Sequence, residues 1–316
     1  MHITVLAGGV GGARFLRGLR AAAPDADITV IGNTGDDFTP FGFHVSPDLD
    51  TVMYTLGGAV NEEQGWGRED ETFTVLHELG GYGAEPGWFG LGDRDIATHI
   101  VRTQLLAGGQ SLSEVTRQLC ERWQPHITLL PMSDDPVRTH VTVDLDGAVR
   151  QLHFQEWWVR LHAEVPALQI DAVGATSARP APGVVEAISA ADFVLFPPSN
   201  PVVSIGVILA VPGIKDAVLA QTVVGVSPII GGAPVRGMAD ACLAAIGVPA
   251  TATAVAAHYG ADLLDGWLVD DQDKEAVDAP ELAGIAVRAR PLLMTDVAAS
   301  ADIARAAVDL ALELRK

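Results

Sequence analysis

A chain of 316 residues with 48% hydrophobic content can bury a large core, as one α/β domain or as two smaller ones. Its net charge of -20 excludes general binding to nucleic acid or to an anionic membrane, because both need a basic face that displaces counterions from phosphate. A phosphorylated ligand must then find local positive potential at helix N-termini, at a few arginines or at a bound metal, and Mg²⁺ suits carboxylate-rich sites that hold substrate phosphates.

In chain order, His2 to Ala7 is an apolar run ending in glycines, and Phe15, Leu16 and Leu19 follow at helical spacing within Ala13 to Ala23. The pattern predicts strand, tight loop, helix. The loop Ala7-Gly8-Gly9-Val10-Gly11-Gly12-Ala13-Arg14 offers phosphate the amides of Gly9, Gly11 and Gly12, with side chains absent so that the anion can approach. Arg14 adds a charge-assisted contact to a diphosphate. A Rossmann nicotinamide site fits less well. Its third glycine position falls on Arg14, and Asn33 stands where the ribose-binding acid belongs. A purely structural loop is the remaining alternative.

A second strand at Ile28 to Ile31 leads into Asn33-Thr34-Gly35-Asp36-Asp37, followed by Ser46-Pro47-Asp48-Leu49-Asp50. Carboxylates gathered at the carboxyl edge of a parallel sheet predict a Mg²⁺ site, with Asp36 and Asp50 its best candidates and Asp37 and Asp48 beside the ligand. The plainer reading makes Asp36 and Asp48 helix caps, which leaves two aspartates over. Trp88 to Asp95 forms a glycine-rich turn before a helix containing Ile96, Ile100 and Val101. There Asp93 is either an N-cap or, with Gly90, a polar partner for a flat ring. Ser111 and Glu114 form a capping box.

Further strands are predicted at Thr128 to Leu130, Phe193 to Phe196, Val223 to Val226 and Trp267 to Val269, and a hairpin with a type I′ turn at Asp146-Gly147 within Thr139 to Phe154. The loops Pro197 to Ser204 and Ser227 to Gly232 each end a strand. Ser199, Asn200, Ser227 and Gly231 offer neutral groups to a base or ribose, with helix capping by Ser204 the alternative. The expected fold is therefore α/β, a Rossmann-like, mostly parallel sheet with helices on both faces. Residues 1–316 form one domain in which 38–92 and 155–178 are candidate insertions. Cys120 and Cys242 sit in amphipathic patterns and read as core residues, and the histidines show no ligand spacing. No apolar run reaches the roughly 18 residues of a membrane span, so a soluble, cytoplasmic protein is expected.

Taken in order, Gly8-Gly9-Val10-Gly11-Gly12, Gly35-Asp36-Asp37, Ser46 to Thr51, Gly65-Trp66-Gly67, Leu91 to Asp95, Pro131 to Pro136, Phe154-Gln155, Pro198 to Pro201 and Ser227 to Gly231 resemble the 2-phospho-L-lactate transferases and their actinobacterial phosphoenolpyruvate-using relatives. The resemblance spans roughly residues 1 to 300. It implies transfer of a phosphoenolpyruvyl or 2-phospholactyl group from a guanosine diphosphate-linked donor to the ribityl hydroxyl of 7,8-didemethyl-8-hydroxy-5-deazariboflavin. GMP is released, on the way to coenzyme F-420. It also implies Mg²⁺ and a homodimer. By the same resemblance Asp36 and Asp50 hold the metal or the attacking hydroxyl, and Asp50 with the turn from Gly90 to Arg94 contacts the deazaflavin. Ser199, Asn200 and the loop Ser227 to Gly232 serve the guanosine end. Gly90 departs from the archaeal pattern, which has lysine there, so only backbone groups remain at that point. Gln155-Glu156-Trp157-Trp158-Val159-Arg160 looks actinobacterial, which favours enolpyruvate as the three-carbon unit. The rival reading is a non-catalytic nucleotide-sugar sensor of related fold, which would need no acceptor site.

Overall fold

Seven short strands lie side by side in the order β12-β11-β8-β7-β1-β2-β3, and every pairing among them is parallel. The computed structural model describes residues 1–315. The strands of this sheet are β1 (His2–Ala7), β2 (Asp27–Gly32), β3 (Thr128–Pro131), β7 (Phe193–Phe196), β8 (Val223–Val226), β11 (Gly266–Val269) and β12 (Ala286–Ala289). Three further strands, β4 (Arg138–Leu145), β5 (Ala148–His153) and β6 (Ala167–Val173), form a separate antiparallel sheet, and β9 (Ile229–Ile230) with β10 (Ala233–Pro234) makes a small ribbon.

The parallel strands are apolar on both sides because both faces are covered. Along β1, Ile3 and Val5 pack into one core with Phe15, Leu16, Leu19 and the C-terminal helix Val297–Leu314. Leu6 points the other way, into a core with Val184, Ile188, Ile208 and Trp267. Helix α1 (Gly9–Ala22) crosses the C-terminal helix so closely that a Cβ at Gly18 would lie 2.3 Å from the carbonyl carbon of Ser300, so only glycine fits there. Helix α2 (Pro47–Leu56) is buried from Asp48 to Leu56. Then come α3 (Thr74–Gly81), with no buried residue, α4 (Asp93–Ala107) and α5 (Leu112–Trp123). Helix α5 starts with the capping box of Ser111 and Glu114.

The hairpin forms as expected, with Asp146 at φ 54° and Gly147 at φ 81°, the pair of positive values that a type I′ turn requires. It also gains a third strand, β6, from the stretch the sequence left unplaced, and β4 becomes the centre of that sheet. Its small core joins Val141, Val143, Phe154 and Trp157 to Val203 and Cys242. Burial pushes the thiols of Cys120 and Cys242 up to about 12, which leaves both inert at neutral pH. No described helix is long and apolar enough to cross a membrane.

Candidate active site

The strand order reverses between β7 and β1, and the loops leaving β7, β1 and β2 therefore meet at one point of the sheet edge, where open α/β sheets bind ligands. A cavity of about 730 Å³ opens there, large enough for a substantial small molecule. Of the residues expected at the site, it takes in Gly9, Gly11, Arg14, Asp36, Asp48, Asp50, Gly90, Ser199, Asn200 and Ser227. Gly12, Asn33, Asp37, Asp93, Arg94 and Gly231 lie outside its lining.

The glycine loop has a different logic from the expected one. A Cβ at Gly11 would sit 2.3 Å from the Pro198 carbonyl oxygen, and one at Gly12 would sit 2.7 Å from Ser199 Oγ. These glycines admit the loop after β7. Only Gly9, at φ 68°, has open space on its side-chain face. The Gly8 amide donates to Ser199 Oγ (3.2 Å), and that hydroxyl donates back to the Gly8 carbonyl (2.7 Å). The Gly9 amide donates to Asp48 Oδ1 (2.8 Å), while Asn33 Nδ2 donates to Asp48 Oδ2 (2.9 Å) and to the Val203 carbonyl (3.2 Å). Asn33 thus braces the carboxylate from outside the cavity. Asp48, expected as a cap of its own helix, instead accepts from the start of α1.

Asp36 is also no helix cap. It is buried, and its Oδ1 has no hydrogen-bond partner among the described residues. Burial first, then the charges of Asp48 and Asp37, push its carboxyl well above the ordinary range. Burial likewise pushes Asp48 up to about 6, against its bonds from Asn33 and Gly9. Two neighbouring buried carboxylates, both raised and one with an orphaned oxygen, match the donor chemistry of a hard cation. No group of three or more metal-ligating side chains converges among the described residues, so substrate oxygens and water would complete the shell, as Mg²⁺ commonly allows. Asp37 turns away, accepting from Ser46 Oγ (2.8 Å) and pairing with His44 Nε2 (2.9 Å).

Asp50, expected as the second metal ligand, has a strong partner inside the protein. Both its oxygens are engaged by the buried Arg102, through a bidentate pair in which Nη1 lies 3.0 Å from Oδ2 and Nη2 contacts Oδ1. Although burial opposes its charge, Asp50 raises the Arg102 guanidinium above its usual value, so the arginine stays charged. The same Nη1 contacts His99 Nδ1 at 3.2 Å. An arginine only donates, so Nδ1 accepts and the His99 proton sits on Nε2, which lies 3.4 Å from Asp95 Oδ1. Tyr54 O–H donates to that same oxygen at 2.6 Å. Asp50, Tyr54, Asp95 and His99 all border the cavity, next to Phe89 and Gly90.

Asp93 is not the N-cap of α4, and its carboxylate is engaged away from the cavity. The N-cap is Gly92, and at the first helical position the Asp93 side chain points back to where α3 begins. There it accepts from Thr72 Oγ1 (2.6 Å) and from the amides of Thr74 (3.1 Å) and Val75 (2.9 Å). Glu71 returns the favour, accepting from the amides of Arg94 (2.8 Å) and Asp95 (2.7 Å). Asp93 thus serves the first amides of α3, and Glu71, in the loop before α3, serves the first amides of α4. The Arg94 side chain reaches the Glu69 carbonyl (3.1 Å), on the exposed side. In the β7 loop Asn200, not Ser204, is the cap, accepting from the amides of Val202 and Val203. Ser227 is engaged with Ile229, and the Gly231 amide with Asp273.

Arg236 and Trp158 are among the cavity residues to which the sequence reading assigned no role. Arg236 borders it beside Arg14, and burial together with the charges of Arg236 and Arg17 pulls the Arg14 guanidinium below its usual value. In so acidic a chain, converging arginines mark a place for an anion. Trp158 also faces the cavity, stacked on Phe154 with centroids 5.5 Å apart. The adjacent Trp157-Trp158 pair was the available signal. Trp157 is fully buried and Trp158 is not.

A parallel sheet with arginines and paired carboxylates at its switch point is the build of an α/β enzyme that handles phosphorylated ligands. The chain belongs to the 2-phospho-L-lactate transferase family, whose model, described as 2-phospho-L-lactate transferase CofD, matches residues 3–292. It is a transferase. It is 67% identical to a phosphoenolpyruvate transferase of Streptomyces griseus over 100% of both chains, and 66% identical to that of Thermobifida fusca over 100% of this chain and 99% of the other. A phosphoenolpyruvate transferase of Nocardia farcinica is 53% identical, covering 98% of this chain and 95% of its own. In fold the chain is similar to a UPF0052-family protein from Bacillus halodurans, with a TM-score of 0.62 at 17% identity over 97% of this chain and 98% of that one.

Proposed function

We propose that the chain transfers a phosphoenolpyruvyl group from a guanosine diphosphate-linked donor to the ribityl hydroxyl of 7,8-didemethyl-8-hydroxy-5-deazariboflavin, releasing GMP. The observation that carries this reading is continuity. One cavity runs from the Gly9 loop, Arg14 and Arg236 to the Phe89–Gly90 turn and the Asp50 network, so a donor diphosphate and a flat acceptor share one space. The names of the actinobacterial relatives support enolpyruvate over lactate as the three-carbon unit.

In this reading Arg14 and Arg236 hold the diphosphate as point charges and donors. Asp36 and Asp48 would hold Mg²⁺, which when bound offsets the negative charge of the donor phosphates. Asp50, held in place by Arg102, accepts a hydrogen bond from the deazaflavin, and Phe89 lies against its ring. Trp158 and the loops of Asn200 and Ser227 border the guanosine. A rigid site of this kind lowers the barrier by placement and by electrostatics, which is what a displacement at phosphorus requires. A cytoplasmic homodimer belongs to the same proposal and rests on the family resemblance.

The test is a fluorescence titration of the purified protein with the deazaflavin, with and without Mg²⁺ and GDP, followed by turnover with each donor. Saturable micromolar binding and GMP release with the enolpyruvyl donor are the expected results. A protein that binds GDP but never the deazaflavin would refute the proposal and point to a nucleotide sensor.

A further inference from the structure

Four carboxylates border the cavity: Asp36, Asp48, Asp50 and Asp95. Their surroundings sort them. Asp36 and Asp48 form the mutually repelling buried pair beside the glycine loop, and Asp50 is clamped at both oxygens by Arg102. Asp95, outside that repelling pair and free of any arginine clamp, has one oxygen held by its neighbours and one left open. Tyr54 and His99 both approach Oδ1, and no described residue makes a hydrogen bond to Oδ2. Its side chain is 16% exposed, against 6% for Asp50, which stands behind it in the same network.

The orientation of Asp95 is built in from below. Arg102 fixes the His99 tautomer by donating to Nδ1, which leaves the Nε2 proton directed at Asp95. Glu71 accepts from the Asp95 amide and so anchors the backbone. Burial by itself would push the Asp95 carboxyl up, but the neighbouring His99 ring, the bond from Tyr54 and the charge of Arg102 hold it below the ordinary range, so it is ionised at neutral pH. An ionised, oriented aspartate with one open oxygen is the kind of group that receives a hydroxyl proton in phosphoryl transfer.

We infer that Asp95 is the catalytic residue that receives the acceptor hydroxyl's proton, and that Tyr54 and His99 are its positioning residues. The inference rests on the transfer reaction proposed above. The hydroxyl oxygen forms its bond to the phosphorus nearer the three-carbon acid as the bridging P–O bond to GMP breaks. GMP departs with that electron pair, and the hydroxyl proton passes to Asp95 Oδ2 and then to water. Asp95 was passed over in the sequence because it follows the more conspicuous Gly92-Asp93-Arg94.

The experiment compares wild type, Asp95→Asn and Tyr54→Phe, with the deazaflavin and the guanosine diphosphate-linked enolpyruvyl donor as probes. Wild-type binding and turnover come first, because failure there refutes the proposed reaction and not the role of Asp95. Given wild-type turnover, Asp95→Asn should bind deazaflavin within about threefold of wild type while kcat falls at least about 100-fold. A kcat within about threefold of wild type, or a change confined to KM, overturns the inference. Tyr54→Phe keeps it testable if Asp95→Asn fails to fold. Removing one donor to Oδ1 should move the acid limb of the kcat profile to higher pH, and an unmoved limb counts against the inference. The titratable groups around Asp95 are Tyr54 and Asp50 from α2, His99 and Arg102 from α4, and Glu71.

Discussion

Replacing Arg102 by Met tests the buried network directly. Arg102 and Asp50 are both buried, so deletion of the guanidinium strands the Asp50 carboxylate in the interior without its bidentate partner. Breaking such a pair from one side costs about 3–5 kcal/mol. An unfolding entropy of about 2.1 cal/mol/K per residue gives roughly 0.66 kcal/mol/K for 316 residues, so the midpoint should fall by about 5–8 °C. The assay is differential scanning calorimetry at pH 7 on Arg102→Met, Asp50→Asn and the double variant. The double variant leaves neither charge stranded and should recover at least about 2 kcal/mol relative to the summed single effects. An Arg102→Met midpoint within about 1 °C of wild type, or strictly additive effects, would refute the claim that the two charges depend on each other.

Asp36→Asn removes a desolvated, repelled carboxylate, so without Mg²⁺ the variant should melt higher than wild type by a few degrees while losing at least about 10-fold in turnover; an unchanged rate would remove Asp36 from the site. Arg236→Ala should weaken GDP binding by about 10-fold or more in calorimetry, with the deazaflavin affinity preserved. His153 is held neutral by burial, which lowers it to about 4. Between about pH 4 and 6.5 the unfolded chain therefore binds the extra proton and stability rises with pH, by an amount on the order of 2–3 kcal/mol across that window. His153→Phe should flatten the dependence of the melting midpoint on pH there, and an identical slope in both proteins would contradict this.

The sheet and its edge loops were legible because parallel strands covered on both faces read as plain apolar runs between glycine loops and periodic helices. Helix α4 was placed, but the chemistry of its inward side was not legible. Ile100 and Val101 are 37% and 44% exposed, whereas His99 and Arg102 are buried. Hydrophobicity alone assigns the wrong face to a helix whose inward side carries ions. The spacing of Asp95, His99 and Arg102, three charged or polar residues on one helical stripe, was the signal available. Asp93 was misassigned for a related reason. Its partners come from α3, about twenty positions earlier, and no local motif announces a cap supplied by another helix. Asp36 and the glycine loop were found, but the reason for Gly11 and Gly12 lies in the Pro198–Ser199 loop, which no local pattern links to them.

The brace between Gly8 and Ser199 spans 191 positions of sequence. On the ribosome, about two-thirds of the chain must emerge before that brace can close. Until β7 inserts beside β1, the nascent chain has its first strands and acidic loops but no cavity, and the edge of β1 stands unpaired. Ligand binding therefore reports completed synthesis of the central sheet, and a fragment ending before residue 193 should be an aggregation-prone edge with no capacity to sequester nucleotide or metal.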